Sequence, residues 1–252
     1  MFDTWSALKK GVNYMSLKAL MFDCDGVIAE TEADGHRVAF NKVFEQEGID
    51  AFWGEEEYGP LCEVGGGKER MTAFFRSDPV KYPPDIFNEK YVAKLHKDKT
   101  AIFSAMAKLL PSRPGVARLM REAVDAGVFV MVCSTSNEKS VGAIVGALLG
   151  EDKDKIVSRI FAGDVVKAKK PEPDIYKLAA ESFGLLPEEC LVIEDTRIGL
   201  LAAIGAGMRC LVTKSRYSRD EDFTGAVAVA DSLESVSLRD LEAQFFTPTS
   251  LV

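Results

Sequence analysis

Apolar and polar positions follow two different periods along this chain. Leu17, Ala19, Leu20, Met21 and Phe22 form a short apolar run that stops at Asp23-Cys24-Asp25-Gly26. That pattern predicts a buried strand ending in two carboxylates, which face the same way because residues i and i+2 of an extended chain share a side. From about 32 to 110 the spacing becomes helical. Val38, Phe40, Val43 and Phe44 recur every three or four residues. Met71, Phe74 and Phe75 follow Gly65-Gly66-Gly67, and Ile86, Phe87, Val92, Leu95, Ile102, Phe103 and Met106 continue over 85–109. Asp78-Pro79 and Pro83-Pro84 break this block, and 48–60, with Phe52, Trp53 and Tyr58, reads as an aromatic loop.

After Pro111 to Gly115 the pattern changes again. Apolar segments at 128–133, 160–161, 190–193, 210–213 and 226–230 alternate with helical stretches at 116–126 and 137–149, after Pro173, and at 198–207. Such alternation predicts an α/β fold, a Rossmann-like parallel sheet with helices on both faces. The core would comprise 17–31 and 111–252, with an α-helical cap, 32–110, inserted after the first strand.

The chain has 252 residues, of which 47% are hydrophobic, enough for a sizeable core. No run reaches the roughly 18 uncharged apolar residues that span a bilayer. The net charge of -8 argues against a nucleic-acid surface, so a bound phosphate must meet local lysines and arginines. Cys24, Cys62, Cys133, Cys190 and Cys210 show no C-x-x-C spacing, and most sit in or beside apolar runs, which predicts buried thiols in a reducing compartment. Residues 1–16 lack the apolar region and cleavage site of a secretory signal and read as a short amphipathic lead-in or a leftover.

Chemistry gathers at the strand ends. Asp23 and Asp25 repel each other unless a cation stands near or one takes a proton. A magnesium ion suits oxygen ligands, one aspartate could then attack phosphorus, and the other could shuttle a proton; an acidic turn capping a strand is the alternative. Ser134-Thr135-Ser136-Asn137 offers a hydroxyl and main-chain amides to a phosphate oxygen, or simply an N-cap serine. Lys167, Lys169 and Lys170 could be a solvated face. Glu194-Asp195 again places two acids after an apolar strand, costly without a cation. Lys68 and Arg70, joined by His36, suggest a cationic cluster for a second phosphate, or else surface charge on a helix. A P-loop fails because Cys62 and Glu69 replace required residues, Gly205-Ala206-Gly207 does not open a helix, and two histidines, His36 and His96, are too few for a histidine-rich zinc site.

The strand followed by Asp23-Cys24-Asp25-Gly26, the serine after the second strand, Lys170-Pro171-Glu172-Pro173-Asp174 and Glu194-Asp195 together resemble the haloacid-dehalogenase-like hydrolase superfamily, over 17 to about 230. The resemblance implies that Asp23 becomes an aspartyl-phosphate and that Asp25 is the general acid and base. It also implies that Ser134 and Lys170 serve the phosphoryl group. Magnesium would be held by Asp23, Asp25 through its main-chain carbonyl, Asp195 and Glu194. Thr31-Glu32 with His36-Arg37, the glycine-led Lys68-Glu69-Arg70 and Cys133-Ser134-Thr135-Ser136-Asn137 resemble the CbbY-type sugar phosphatases. That implies hydrolysis of xylulose 1,5-bisphosphate, a Rubisco inhibitor, to xylulose 5-phosphate. Glu32, His36, Lys68, Arg70, Ser134, Thr135 and Asn137 would contact substrate. It further implies a monomer without nucleic-acid or membrane partners, in the plastid stroma, with any transit peptide absent from this chain, or in a bacterial cytoplasm. A beta-phosphoglucomutase-type mutase shares these motifs. A non-catalytic sugar-phosphate sensor would have lost Asp23, Asp25 or Asp195, and all three are present.

Overall fold

The computed structural model describes residues 16–246. The lead-in read at 1–16 therefore lies outside the described residues save for Ser16, as do the last six residues assigned to the core.

Six strands, β1 (Ala19–Phe22), β2 (Phe129–Ser134), β3 (Arg159–Ala162), β4 (Cys190–Glu194), β5 (Arg209–Thr213) and β6 (Ala228–Ala230), form one parallel sheet in the order β3-β2-β1-β4-β5-β6. The inner strands are apolar on both faces, as burial on both sides requires. Leu20 and Phe22 pack with Val130, Val132, Leu191 and Ile193 on one face. Ala19 and Met21 pack with Met131, Cys133, Val192 and Cys210 on the other. The first face is covered by α5 (Val116–Asp125), α6 (Glu138–Leu149), the short α7 (Lys153–Ile156) and α10 (Leu238–Phe245). The second is covered by α8 (Asp174–Ser182) and α9 (Arg197–Gly205).

Register decides which side chains share an edge of the sheet. Phe22 pairs with Val132 on one side and Ile193 on the other, so Asp23, Ser134 and Glu194-Asp195 emerge at the same edge. This is the carboxyl edge, where open parallel sheets bind ligands.

Between β1 and α5 the chain is helical: a π-helical turn (Glu32–His36), α1 (Arg37–Gln46), α2 (Glu55–Leu61), α3 (Gly67–Ser77) and α4 (Glu89–Ala107). These share their own aromatic core of Phe40, Phe44, Trp53, Tyr58, Phe75 and Tyr82. Two sequence expectations need correcting. The segment 48–60 is not all loop, because α2 starts at Glu55 and carries Pro60 inside it. Three glutamates in its first turn favour the positive helix end, and burial of Tyr58 against Phe40 and Trp53 outweighs the proline. The helix expected from 85 begins only at Glu89, where Asn88 caps it by accepting the Tyr91 N–H. Helix α10, capped reciprocally by Ser237 and Asp240, went unanticipated.

Candidate active site

A cavity of about 870 Å³ lies between the strand edge and the helical segment. Asp23, Asp25, Glu194, Asp195, Lys170, Thr135, Ser136 and Asn137 line one side, and Glu32, His36, Lys68, Arg70, His96 and Lys99 the other.

Asp23 follows β1, its N–H donating to the Ile193 carbonyl at 2.9 Å. Lys170 Nζ reaches Asp23 Oδ1 and Glu194 Oε1, each at 2.6 Å, and the Cys133 carbonyl at 3.0 Å. Tyr176 donates its hydroxyl to the same Glu194 oxygen at 2.5 Å. Burial pushes Asp23 well above the usual carboxylate range, with Glu194 and Asp25 adding to the rise against Lys170. Asp195 rises for the same reason, with Glu194 and Asp23 as its repelling neighbours. Burial would lower Lys170, but the carboxylates of Asp23 and Glu194 overcome it and hold the ammonium firmly protonated.

Asp25 is turned differently. Its Oδ1 accepts from Thr31 Oγ1 at 2.5 Å and lies 3.2 Å from His36 Nε2. Its Oδ2 accepts from Ser136 Oγ at 2.5 Å. Burial would raise this carboxyl, yet His36, Ser136 and Thr31 outweigh it and hold it well below the usual range. Two neighbouring aspartates thus sit in opposite environments: without a cation Asp23 favours its protonated form and Asp25 its carboxylate, and a cation beside Asp23 would bring it to the ionised form a nucleophile needs.

Asp23, Glu194 and Asp195 offer oxygens within 4.8 Å of one another. Fully ionised, these three acids would carry three charges against the single ammonium of Lys170. A hard divalent cation fits the remaining two charges and the all-oxygen donor set. Gly26 admits Asp195 to this group, since a Cβ there would collide with its carboxylate. The Asp25 side chain, engaged with Thr31, His36 and Ser136, is not among the three.

Other expected residues fall in unexpected places. Ser134 is buried, accepting the Ser136 N–H at 3.0 Å with its Oγ 3.5 Å from Asp25 Oδ2, while Thr135, Ser136 and Asn137 line the cavity. The cap of α6 is Asn137, accepting from Lys139 N at 3.0 Å, not Ser134. Lys169 lines the cavity and pairs with Asp164 at 3.1 Å, whereas Lys167 is exposed.

The expected cationic cluster of Lys68, Arg70 and His36 does not assemble as one group. Arg70 turns inward, 6% exposed, with its guanidinium 3.0 Å from Glu32 and hydrogen-bonded to Tyr58. Burial would raise Glu32, but Arg70 and His36 bring it down to about 2. His36 bridges Asp25 and Lys99, whose Nζ lies 2.6 Å from Nδ1.

Sequence reasoning missed Lys99, Tyr58, Tyr176, Thr31 and Ser136. Thr31 and Ser136 carried a readable signal, the first in the Thr31-Glu32 motif and the second as the second hydroxyl of the Ser134-Thr135-Ser136 run. Lys99 looks like any lysine in a lysine-rich helix, although it is 4% exposed.

Residues 17–207 match the family described as haloacid dehalogenase-like hydrolase. The chain belongs to that family. Within this hydrolase family it is 53% identical to a CBBY-like protein of Arabidopsis thaliana over 220 residues, covering 85% of this chain and 69% of the relative. It is 41% identical over 221 residues to protein CbbY of Cereibacter sphaeroides, covering 86% and 92%. The fold superposes on CbbY from Rhodobacter sphaeroides crystallised with phosphate, with a TM-score of 0.80 and 40% identity over 90% of this chain and 99% of that one. A mutant of that protein in complex with xylulose-(1,5)bisphosphate gives the same TM-score at 39% identity, covering 91% and 99%. The chain is a hydrolase of the CbbY-like phosphatase kind, and no described helix is long and apolar enough to cross a membrane.

Proposed function

We propose that this hydrolase is a magnesium-dependent phosphatase of sugar bisphosphates, acting on xylulose 1,5-bisphosphate through a phosphoryl group carried on Asp23. The observation that carries the reading is the contrast between two adjacent aspartates: Asp23 against Lys170 beside two further acids, and Asp25 held by Thr31, His36 and Ser136. The sugar phosphate bound by the related CbbY is consistent with it.

Asp23, Asp195 and Glu194, with the main-chain carbonyl of Asp25, would hold magnesium, which when bound neutralises charge around the transferring phosphoryl group. An Asp23 oxygen attacks phosphorus, the phosphorus–sugar oxygen bond breaks, and the departing alkoxide takes a proton from Asp25, which has drawn it from His36 Nε2 at 3.2 Å. Asp25 is then a carboxylate and takes a proton from water as that water attacks the phosphorylated Asp23. Inorganic phosphate leaves and Asp23 is restored. Lys170 keeps Asp23 close and offsets charge on the phosphoryl oxygens, aided by the Thr135 and Ser136 wall. The proton that Asp25 takes from water passes back to His36 at 3.2 Å, which leaves Asp25 the carboxylate its surroundings favour. The helical segment 32–110 serves as a cap that excludes water over the sugar.

Steady-state phosphate release across sugar mono- and bisphosphates tests this reading. The bisphosphate should be preferred, and excess chelator should stop turnover. Full turnover in chelator, or equal rates across the panel, would reject it. Conversion of a hexose 1-phosphate to its 6-phosphate without phosphate release would select the mutase reading.

A further inference from the structure

The run Pro111-Ser112-Arg113-Pro114-Gly115 brings the chain back from the helical segment to the sheet, and no step of the reaction proposed above uses it. The backbone re-enters the core tightly. Ser112 bridges to Ala29, and the Arg113 N–H donates to the Ile28 carbonyl at 2.8 Å. Gly115, at a φ of 85°, lies so close to the main chain of Leu233 that a Cβ there would collide with it. Arg113 is thereby fixed beside the turn that follows β1.

The Arg113 side chain is buried and directs its donors at main-chain carbonyls. Nη1 donates to Gly26 and, at 3.2 Å, to Thr213. Nη2 donates to Lys214 at 2.6 Å and to Asp231 at 2.7 Å. Nε stands 3.7 Å from Glu30, the one carboxylate within ion-pair distance among the described residues. One planar fork therefore ties the turn after β1 to the chain leaving β5 and β6. The single nitrogen of a lysine cannot span these partners.

Gly26 is the partner that matters for the site. Its N–H donates to the Ala29 carbonyl at 2.8 Å, and its own carbonyl is held by Arg113. Both peptide planes that meet at its Cα are fixed in this way, and the first of them carries the Asp25 carbonyl. The same Cα faces Asp195, since a Cβ on it would come within 1.9 Å of Oδ2. Burial, Glu194 and Asp23 raise the Asp195 carboxyl, and Ser215 and Arg113 work against them. Arg113 thus lies across Gly26 from the acidic cluster.

We propose that Arg113 is a positioning residue for magnesium: by fixing Gly26 it sets the Asp25 main-chain carbonyl and the Asp195 carboxylate in register with each other. The inference rests on the magnesium of the function proposed above. It assigns the role to the fork of donors rather than to the charge.

Calorimetric titration of substrate-free protein with magnesium tests this. A residue that only supports the fold would lower the melting temperature and leave the magnesium affinity of the folded protein unchanged. Arg113→Lys keeps the charge and loses the fork; Arg113→Gln keeps neither. In both, the dissociation constant for magnesium should rise about ten- to a hundredfold, and the magnesium concentration that gives half-maximal turnover should rise with it. Hydrogen exchange on the wild-type protein reads the same link without a variant, even if neither variant folds. Adding magnesium should slow exchange in 24–30 and 230–233 together, because Arg113 joins Gly26 to Asp231. Wild-type affinity in Arg113→Lys, or slowing confined to 24–30, overturns the role. A wild-type protein that binds no magnesium overturns the metal of the proposed function and this role together; binding that is equally tight in both variants overturns the role alone.

Discussion

Replacing Lys99 by methionine should make the protein more stable and less active. Lys99 is 4% exposed, stacked over Phe40 with its Nζ 4.4 Å from the ring centroid, and hydrogen-bonded to His36. Burial brings its ammonium from an ordinary 10.5 down to about 8. At 1.36 kcal/mol per unit, protonated Lys99 costs folding about 3 kcal/mol at neutral pH. Methionine removes that cost and keeps the packing, while losing the bond to His36, about 1 kcal/mol. The net gain is about 2 kcal/mol, or roughly 4–8 °C in Tm for a chain of this size. The pH dependence has a definite sign. Between about 8 and 10.5 the unfolded chain binds the Lys99 proton and the folded one does not, so wild-type stability rises through this window while the variant lacks that gain. Urea denaturation of both proteins at pH 7 and pH 10 should show the advantage of Lys99→Met at the lower pH and its disappearance at the higher. Turnover of the bisphosphate should fall at least about tenfold, the range for losing a charged contact. A variant less stable than wild type at pH 7, or an advantage independent of pH, would refute this reasoning.

The same buried charges govern three other variants. Lys170→Met leaves Asp23, Glu194 and Asp195 without their cation and should cost about 3–5 kcal/mol at pH 7.5 by urea denaturation. That deficit should shrink towards pH 5, because folded carboxylates with raised pKa values take up protons before unfolded ones. Arg70→Ala strands Glu32 and should cost about 3–5 kcal/mol of stability, with similar relative activity losses on bisphosphate and aryl phosphate; a loss confined to the bisphosphate would restore Arg70 as a phosphate clamp. Asp25→Asn should slow a sugar phosphate far more than an aryl phosphate, whose leaving group needs no proton, and equal losses would deny Asp25 the proton transfer.

The strand-end acids were legible because apolar runs that stop at carboxylates are rare without a reason, and parallel register then carries the ends of β1, β2 and β4 to one edge. The alternation of strand and helix likewise pointed to the sheet. Pairings made across sequence distance were hidden. Nothing near Arg70 says that Glu32, 38 residues earlier, will claim its guanidinium. Nothing near Lys99 distinguishes it from the solvated lysines of the same helix, since its burial depends on how α4 leans over Phe40 and His36. Ser134 and Ser136 both reach the same Asp25 oxygen, at 3.5 and 2.5 Å, and no local pattern says which of them the turn after β2 brings closer. Helix α2 was obscured by Pro60 and by aromatics whose partners lie in other helices.

The central claim is that Asp23 carries the phosphoryl group. Enzyme mixed with xylulose 1,5-bisphosphate and magnesium, quenched in acid within a turnover and digested, should show phosphate on the Asp23 side chain by peptide mass spectrometry, and none in Asp23→Asn. Rapid phosphate release with Asp23 unmodified at every quench time, or retained by Asp23→Asn, would contradict the account.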